Sequence, residues 1–258
     1  MMDRRPGGVL VTGASRGIGR ATAVAFAALG HRVAVHCGSR RDEAQETLSL
    51  LAGDGHALVA GDLADQETAR AVVAEAVALL GEVDVLVNNA AVAPAPGNLH
   101  RIGEASWDEW TSAWRTMVDV NLLGAVNTTW AVARHLVERG APGSIVNVGS
   151  RGAFRGEPDF PAYGATKAAL HAFGQSAAVA LAPHRISVTS VAPGFIATER
   201  QAAKLSGAEG DAVRDQSPFG RVGTPEEVAA AVVHLASPAA AWSSGAVVDL
   251  NGASYLRS

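Results

Sequence analysis

Short runs of β-branched residues alternate with alanine-rich helical stretches along the whole chain. This alternation is typical of βαβ units, in which helices cover both faces of a parallel sheet. Each run is brief and apolar, as buried parallel strands are. The runs predict seven strands, at residues 8–12, 32–37, 56–60, 83–87, 144–148, 186–191 and 246–249. The sequence therefore predicts an α/β fold with a doubly wound parallel sheet.

Helical patterns fill the intervals between these strands. Pro161 and Pro225 fall at first-turn positions, where a missing amide hydrogen breaks no helical hydrogen bond. The predicted helices are 17–28, 42–51, 65–80, a long helix that ends near Arg139, 161–181 and 225–235. Two stretches without a pattern, 92–105 and 195–224, are predicted to be functional loops. Because no linker or repeat interrupts the alternation, we expect one domain over residues 1–258.

Composition excludes several classes of function. With 48% hydrophobic and 18% charged residues, the 258-residue chain can form a large core, which disordered and fibrous proteins lack. Its net charge of −4 and the absence of a basic block argue against a nucleic-acid partner. The single Cys37 excludes an internal disulfide and favours a cytoplasmic location. No apolar run predicts a membrane span or a signal peptide. Because a nucleic-acid partner is disfavoured, we expect a small-molecule ligand.

Glycines cluster directly after the first predicted strand, where residues 12–19 read TGASRGIG. A helix N-terminus at this position offers unpaired amides, and glycines let a phosphate approach the backbone. The glycine spacing is not G-x-G-x-x-G, and no lysine follows to form a P-loop. The same residues match the G-x-S-x-G elbow of α/β hydrolases, with Ser15 as nucleophile. Both interpretations stay open at this point, although an elbow should follow several strands.

A second group of polar residues follows the later strands. Tyr163 and Lys167 stand at i and i+4 of a predicted helix, so the ammonium lies near the phenol and favours its ionised form. Ser150 follows the fifth strand and can donate a hydrogen bond to a substrate oxygen that gains charge. The remaining members of this group are Asn88 and Asn89 after the fourth strand, and Asn121 within VDVNL.

Taken together, these motifs resemble those of the short-chain dehydrogenase/reductase family, in its compact single-domain branch. The Ser150–Tyr163 interval of 13 and the Tyr163–Lys167 interval of 4 are usual in that family. The resemblance implies a Rossmann fold and NAD(P)(H)-dependent hydride transfer between a ketone and a secondary alcohol. It implies that Tyr163 is the acid/base and that Lys167 lowers its pKa and binds the nicotinamide ribose. It also implies that Ser150 polarises the carbonyl and that Asn121 holds a proton-relay water.

The chain is similar to 3-oxoacyl-[acyl-carrier-protein] reductases within this family, so the resemblance favours a 3-oxoacyl or polyketide-like substrate. Acyl carrier protein is a candidate partner, supported only by a few arginines. A non-catalytic NADP-sensing protein on the same fold is the alternative. Such a protein would keep the glycine turn and lose Tyr163 or Lys167, whereas this chain has both.

Residues after the second strand select the cofactor in this family. Here no carboxylate precedes Asp42, and Arg40 with Arg16 can pair with a 2′-phosphate, so we expect NADP(H) in preference to NAD(H). The simpler interpretation is that Arg40 and Arg41 begin a solvated helix. The resemblance assigns cofactor contacts to Gly13, Ser15, Arg16, Gly17, Ile18, Gly19, Ser39, Arg40, Asp62, Leu63, Asn89, Ala90, Tyr163, Lys167, Pro193, Gly194, Ile196 and Thr198. No histidine spacing indicates a metal site.

Two further patterns concern packing. Trp107, Trp110 and Trp114 form a helical stripe at i, i+3 and i+7, which favours packing on the core over a wall of the substrate site. The predicted helix 161–181 has alanines around much of its circumference. By resemblance this helix and the one ending near Arg139 pair with their copies, so we expect a homotetramer or a homodimer.

Overall fold

The computed structural model describes residues 7–207 and 210–257. Seven parallel strands form one sheet, in the order β3-β2-β1-β4-β5-β6-β7. Each predicted strand is confirmed, with its ends shifted by no more than two residues. The strands are β1 Gly8–Val11, β2 Arg32–Cys37, β3 Ala57–Ala60, β4 Val85–Asn88, β5 Gly143–Val148, β6 Ile186–Pro193 and β7 Val247–Leu250. The order reverses between β1 and β4, which is where doubly wound sheets bind ligands at the carboxyl ends of their strands.

Helices cover both faces of this sheet. Successive residues of a strand point to opposite faces, so Val9 and Val11 enter one hydrophobic cluster and Leu10 enters the other. The helices are α1 Gly17–Ala28, α2 Arg41–Ser49, α3 Gln66–Leu80, α4 Trp107–Met117, α5 Ala125–Glu138, α6 Gly152–Arg155, α7 Pro161–Leu181, α8 Ala202–Ser206, α9 Gly210–Arg214 and α10 Pro225–Ala236. Among the described residues, no helix is both long and apolar enough to cross a membrane.

The predicted long helix that ends near Arg139 is present and ends at Glu138, but it is not a regular α-helix throughout. A π-helical segment, Val118–Gly124, separates α4 from α5. An insertion of this kind widens one turn and is common at functional sites. The two predicted loops also contain short helical pieces, a 3₁₀ turn at Pro96–Asn98 in the first and α8 and α9 in the second.

Candidate active site

The turn between β1 and α1 has a backbone that glycine adopts without strain. Gly13 and Gly17 have φ angles of 63° and 55°, in the left-handed region. A Cβ atom at Gly19 would collide with the carbonyl oxygen of Gly13. The turn therefore has a bare backbone at the N-terminus of α1, which fits the pyrophosphate of a dinucleotide.

The end of β4 holds this turn in place. The side-chain amide of Asn89 donates to the carbonyl oxygens of Thr12 and Gly13, both at 2.9 Å. The Thr12 hydroxyl in turn accepts from the backbone amides of Asn89 and Ala90, at 2.9 and 3.1 Å. The two strand ends that border the crevice are thus joined by side-chain hydrogen bonds, and Asn89 and Ala90 lie where the sequence predicts.

His36 is a site residue that the sequence analysis missed. Its Nδ1 accepts from the amide of Gly13 at 3.1 Å, and its Nε2 lies 3.0 Å from the carbonyl oxygen of Gly61. This pattern needs a neutral ring with the proton on Nε2. Burial lowers the pKa of His36 and so favours that form. Its position at the end of β2, beside the glycine turn in space, could have indicated this role.

The two arginines expected to recognise a 2′-phosphate lie near one carboxylate. Arg40 donates to Glu43 at 2.9 Å, and Nε of Arg16 lies 3.9 Å from the other Glu43 oxygen. Glu43 belongs to the first turn of α2, so the helix brings it back over the end of β2. The two arginines therefore converge on an acidic neighbour that the sequence analysis did not identify, and their pairing with a 2′-phosphate stays a prediction.

The other residues expected to contact the adenosine half of the dinucleotide cofactor lie at the same side of the sheet. Ser39 is exposed between β2 and α2. Asp62 follows β3, and its carboxylate accepts from the amide of Ala64 at 3.0 Å. Leu63 beside it is buried. Ser15 and Ile18 belong to the glycine turn and to α1.

The segment after β6 approaches the glycine turn from the opposite side. Pro193 ends β6, Gly194 follows it, and Ile196 is buried and bridged to Gly223. A Cβ atom on Gly17 would lie 3.2 Å from the methyl group of Thr198. The structure therefore places this segment against the first turn of α1, and its contact with the nicotinamide stays a prediction.

Asn121 lies in the π-helical segment and is fully buried. Its Oδ1 accepts from the amide of Val92 at 2.7 Å, and its Nδ2 donates to the carbonyl oxygen of Val92 at 3.0 Å. Nδ2 also lies 3.4 Å from the hydroxyl of Thr166 on α7. Asn121 thereby connects the chain after β4 to α7.

Ser150, Tyr163 and Lys167 come together at the carboxyl end of β5. Lys167 is 3% exposed, and its ammonium donates to the carbonyl oxygen of Val148 at 2.8 Å. The same Nζ lies 5.8 Å from the centroid of the Tyr163 ring. The Ser150 hydroxyl accepts from the amide of Gly152 at 3.0 Å, at the start of α6. A buried ammonium, a half-buried phenol and a hydroxyl thus occupy one edge of the crevice.

His100 fixes the first turn of α7 and was also missed. It is fully buried, and its Nε2 accepts from the amide of Ala162, an amide that has no partner within the helix. Its Nδ1 lies 2.7 Å from the carbonyl oxygen of Asn98. The long segment after β4 therefore helps to position the helix that presents Tyr163.

The tryptophan stripe is only partly packed. The rings of Trp110 and Trp114 lie 5.6 Å apart, and Trp110 also contacts the ring of His100. Trp107 is 76% exposed because it is the first residue of α4, so the predicted packing is wrong for this residue.

The hydrolase interpretation of Ser15 does not fit. A nucleophile elbow needs a strained serine backbone. Among residues 7–207 and 210–257, only Arg185 and Ala253 have a positive φ angle without being glycine. Ser15 is buried in the glycine turn after the first strand of the chain.

Comparison with known proteins assigns the chain to a family. The family described as enoyl-(acyl carrier protein) reductase matches residues 13–252. An L-rhamnose 1-dehydrogenase (NAD(P)(+)) of Sphingomonas sp. (strain SKA58) is 38% identical over 251 residues, 96% of each chain. A 3-oxoacyl-[acyl-carrier-protein] reductase of Staphylococcus aureus is 34% identical over 249 residues, 96% of this chain and 97% of the relative.

A solved structure of a Serratia marcescens short-chain dehydrogenase/reductase, a double mutant, agrees with these sequence matches. It has a TM-score of 0.83 at 30% identity and covers 96% of this chain and 97% of the other. The chain belongs to the short-chain dehydrogenase/reductase family. It is an oxidoreductase with the Rossmann fold of that family, and the family uses nicotinamide dinucleotides.

Proposed function

We propose that this protein is an NADP(H)-preferring reductase that interconverts a ketone and a secondary alcohol. The observation on which this rests is the buried Lys167 ammonium, 5.8 Å from the Tyr163 ring. A positive charge beside a phenol favours the phenolate, which makes Tyr163 fit to give up and regain a proton near neutral pH. The ammonium also makes a cation–π contact with the Tyr163 ring and a hydrogen bond to the carbonyl oxygen of Val148, which hold it at this place.

The chain's own residues divide the remaining work. The Tyr163 hydroxyl donates its proton to the carbonyl oxygen in reduction and accepts it in oxidation. Ser150 donates a hydrogen bond to the same oxygen, which gains negative charge as the hydride arrives. Asn121 holds a water that returns the proton through Lys167. The nicotinamide cofactor, when bound, supplies or accepts the hydride.

Cofactor binding uses both sides of the switch point between β1 and β4. Gly13, Gly17 and Gly19 hold the pyrophosphate, and Lys167 binds the nicotinamide ribose. Arg16 and Arg40 pair with the 2′-phosphate, since guanidinium groups match phosphate geometry. This pairing is the basis for NADP(H) preference.

The substrate is a carbonyl on an acyl or polyketide-like chain, in line with the Staphylococcus aureus relative's name. A sugar is the second candidate, because a relative at 38% identity is named L-rhamnose 1-dehydrogenase. In either reaction the same Tyr163 and Ser150 act on one oxygen. The alternative is a cofactor-sensing protein, which has the same fold and binds the cofactor but catalyses no reaction.

A spectrophotometric screen tests these proposals. NADPH and NADH are each supplied with a panel of 3-oxoacyl thioesters and simple ketones, and NADP⁺ and NAD⁺ with L-rhamnose and secondary alcohols. We expect carbonyl-dependent NADPH oxidation, with kcat/KM higher for NADPH than for NADH. Cofactor binding without turnover on any of these compounds would instead favour the sensing protein.

A further inference from the structure

A cavity of about 300 Å³ is lined by Arg151, the residue after the proposed catalytic serine, and Arg151 is its most buried charged residue. Arg151 follows Ser150 directly and is 5% exposed. Its backbone amide donates to the carbonyl oxygen of Pro193 at 2.9 Å, and its guanidinium lies 5.3 Å from the ring of Phe195. The cavity thus borders the segment expected to cover the nicotinamide.

The Arg151 guanidinium has only neutral hydrogen-bond partners within the described ranges. It donates to the hydroxyl of Ser254 and, at 3.0 Å, to the side-chain oxygen of Gln216. Burial lowers the pKa of Arg151 and the charge of Arg155 adds to this effect, whereas the charge of Glu157, which is not among its hydrogen-bond partners, opposes it. Removing a cation from water is costly unless an anion compensates, so this arrangement favours binding of an anion.

A second guanidinium converges on the same neutral acceptor. Arg155 donates to the Gln216 oxygen at 3.3 Å, so two cations share one amide oxygen. Like charges placed this way repel each other, and an oxyanion at the same point would satisfy both. Gln216 is exposed at the mouth of the cavity, where a ligand can reach it.

The acidic residues of the cavity are already paired. Glu227 accepts two hydrogen bonds from Arg221, at 2.7 and 2.9 Å. Asp249 accepts from Arg257 at 2.7 Å. Neither carboxylate therefore neutralises Arg151, and the cavity has room for a further anion.

We infer that Arg151 and Arg155 bind a carboxylate of the substrate at the Gln216 side of this cavity. The inference deepens the proposed function and rests on it, because Arg151 directly follows the serine that is proposed to polarise the carbonyl. The substrate class is then an oxo or hydroxy acid. A free carboxylate ion, which is not part of the substrate, could bind the same two arginines. The tests below therefore distinguish a carboxylate of the substrate from a free carboxylate ion.

Binding is measured first, without turnover. Succinate is titrated into the protein by calorimetry at constant ionic strength, with neutral succinamide as the control ligand. We expect saturable binding of succinate alone. Absence of succinate binding to the unmodified protein overturns the inference.

Gln216→Glu provides the critical variant. It places a carboxylate between the two guanidinium groups, so it should raise Tm and weaken succinate binding at least tenfold, as expected for charge-assisted hydrogen bonds. Gln66→Glu, at the exposed first position of α3, makes the same change in net charge and should leave binding unaltered. Equal succinate affinity in Gln216→Glu and the unmodified protein would overturn the site. Arg155→Gln, at an exposed position, provides a second variant with the same expected direction.

Kinetics identify the source of the carboxylate. We expect kcat/KM for 4-oxopentanoate to exceed that for its methyl ester at least tenfold, and Gln216→Glu to abolish this preference. Succinate binding with equal kcat/KM for acid and ester overturns the assignment to the substrate and leaves a free-anion site. Succinate binding without turnover of any carbonyl contradicts the proposed function and not the anion site.

Discussion

The carboxylate of Glu43 accepts a 2.9 Å hydrogen bond from the guanidinium of Arg40. Its other oxygen lies 3.9 Å from Nε of Arg16, the second arginine of the proposed 2′-phosphate site. A phosphate that binds both arginines must therefore displace an acidic group or accept its repulsion. The proposed preference for NADP(H) therefore depends on the balance between the attraction of two cations and the repulsion of one neighbouring anion.

Neutralising Glu43 is expected to strengthen NADP⁺ binding. Glu43→Gln removes the competing charge, and because exposed ion pairs are weak, the gain in affinity should be roughly 1.5- to fivefold. NAD⁺, which has no 2′-phosphate, should bind as before. Calorimetric titration of both cofactors measures the difference.

Glu46→Gln is the matched control for this experiment. Glu46 pairs with Arg20 at 3.3 Å, one turn further along α2, and is not placed in the phosphate site. Arg40→Asp should act in the opposite direction and weaken NADPH selectively. Equal NADP⁺ affinities for Glu43→Gln and the unmodified protein would show that Glu43 does not compete.

Glu43 also illustrates what the sequence could and could not predict. The alternation of strand and helix patterns predicts all seven strands, because buried parallel strands have a strong local signal. The absence of a carboxylate before Asp42 was informative about the chain just after β2. That absence did not indicate Glu43, whose carboxylate reaches the end of β2 because α2 packs there.

The same distinction applies to the rest of the site. Spacing alone predicts that Tyr163 and Lys167 share a face, because i and i+4 neighbours belong to one helix. The π-helical segment around Asn121 depends on hydrogen bonds to Val92 and to α7, so the local helical pattern of the sequence concealed it. His36 and His100 bond to residues 23 and 62 positions away, beyond the reach of any periodicity.

Tyr163→Phe is expected to reduce kcat by roughly 10²- to 10⁴-fold, the range for loss of a general acid or base. The substitution deletes one oxygen from α7, so Tm and NADP⁺ affinity should change little. Tyr255→Phe is the control, since the chain has two tyrosines and Tyr255 donates its hydroxyl to the carbonyl oxygen of Phe154. A Tyr163→Phe enzyme that keeps more than a tenth of the original kcat is incompatible with the proposed role.

His171 makes the stability of the fold dependent on pH. Burial, followed by the charge of Lys167 one turn before it, lowers the pKa of His171 from 6.5 to about 4. Between these values the unfolded chain binds a proton that the folded protein excludes. This contribution to stability is therefore complete above pH 6.5 and is lost as the pH falls towards 4.

The expected loss from this one group is roughly 3 kcal/mol across that interval. Urea unfolding at pH 7.5 and at pH 4.5 measures it, in the unmodified protein and in His171→Leu. The difference in unfolding free energy between the two pH values should be smaller in the variant. Other histidines with lowered pKa, His36 and His135, contribute to both proteins and so cancel. An unchanged difference would mean that His171 titrates normally in the folded state.

Quaternary structure gives the last prediction, which concerns the outer faces of α5 and α7. The alanines of α7 differ in exposure: Ala162, Ala177 and Ala178 are buried, Ala168 and Ala169 are half-buried, and Ala165, Ala172 and Ala180 are exposed. Packing against the protein's own sheet therefore accounts for only one side of α7. On the same two helices, Trp130 is 59% exposed and Val179 is 79% exposed. Large apolar side chains exposed in this way are usual at contacts between subunits.

Light scattering at micromolar concentration should therefore give a mass of two or four times 26.3 kDa. Trp130→Glu places a charge on the proposed contact, and burial of an unpaired charge should reduce the mass of the assembly. Leu29→Glu makes the same kind of change after α1, at a residue that is 56% exposed, and should leave the mass unchanged. A mass near 26.3 kDa for the unmodified protein would contradict the prediction. In that case α7, and with it Tyr163, must be positioned within one subunit, by contacts such as that of His100 with the amide of Ala162.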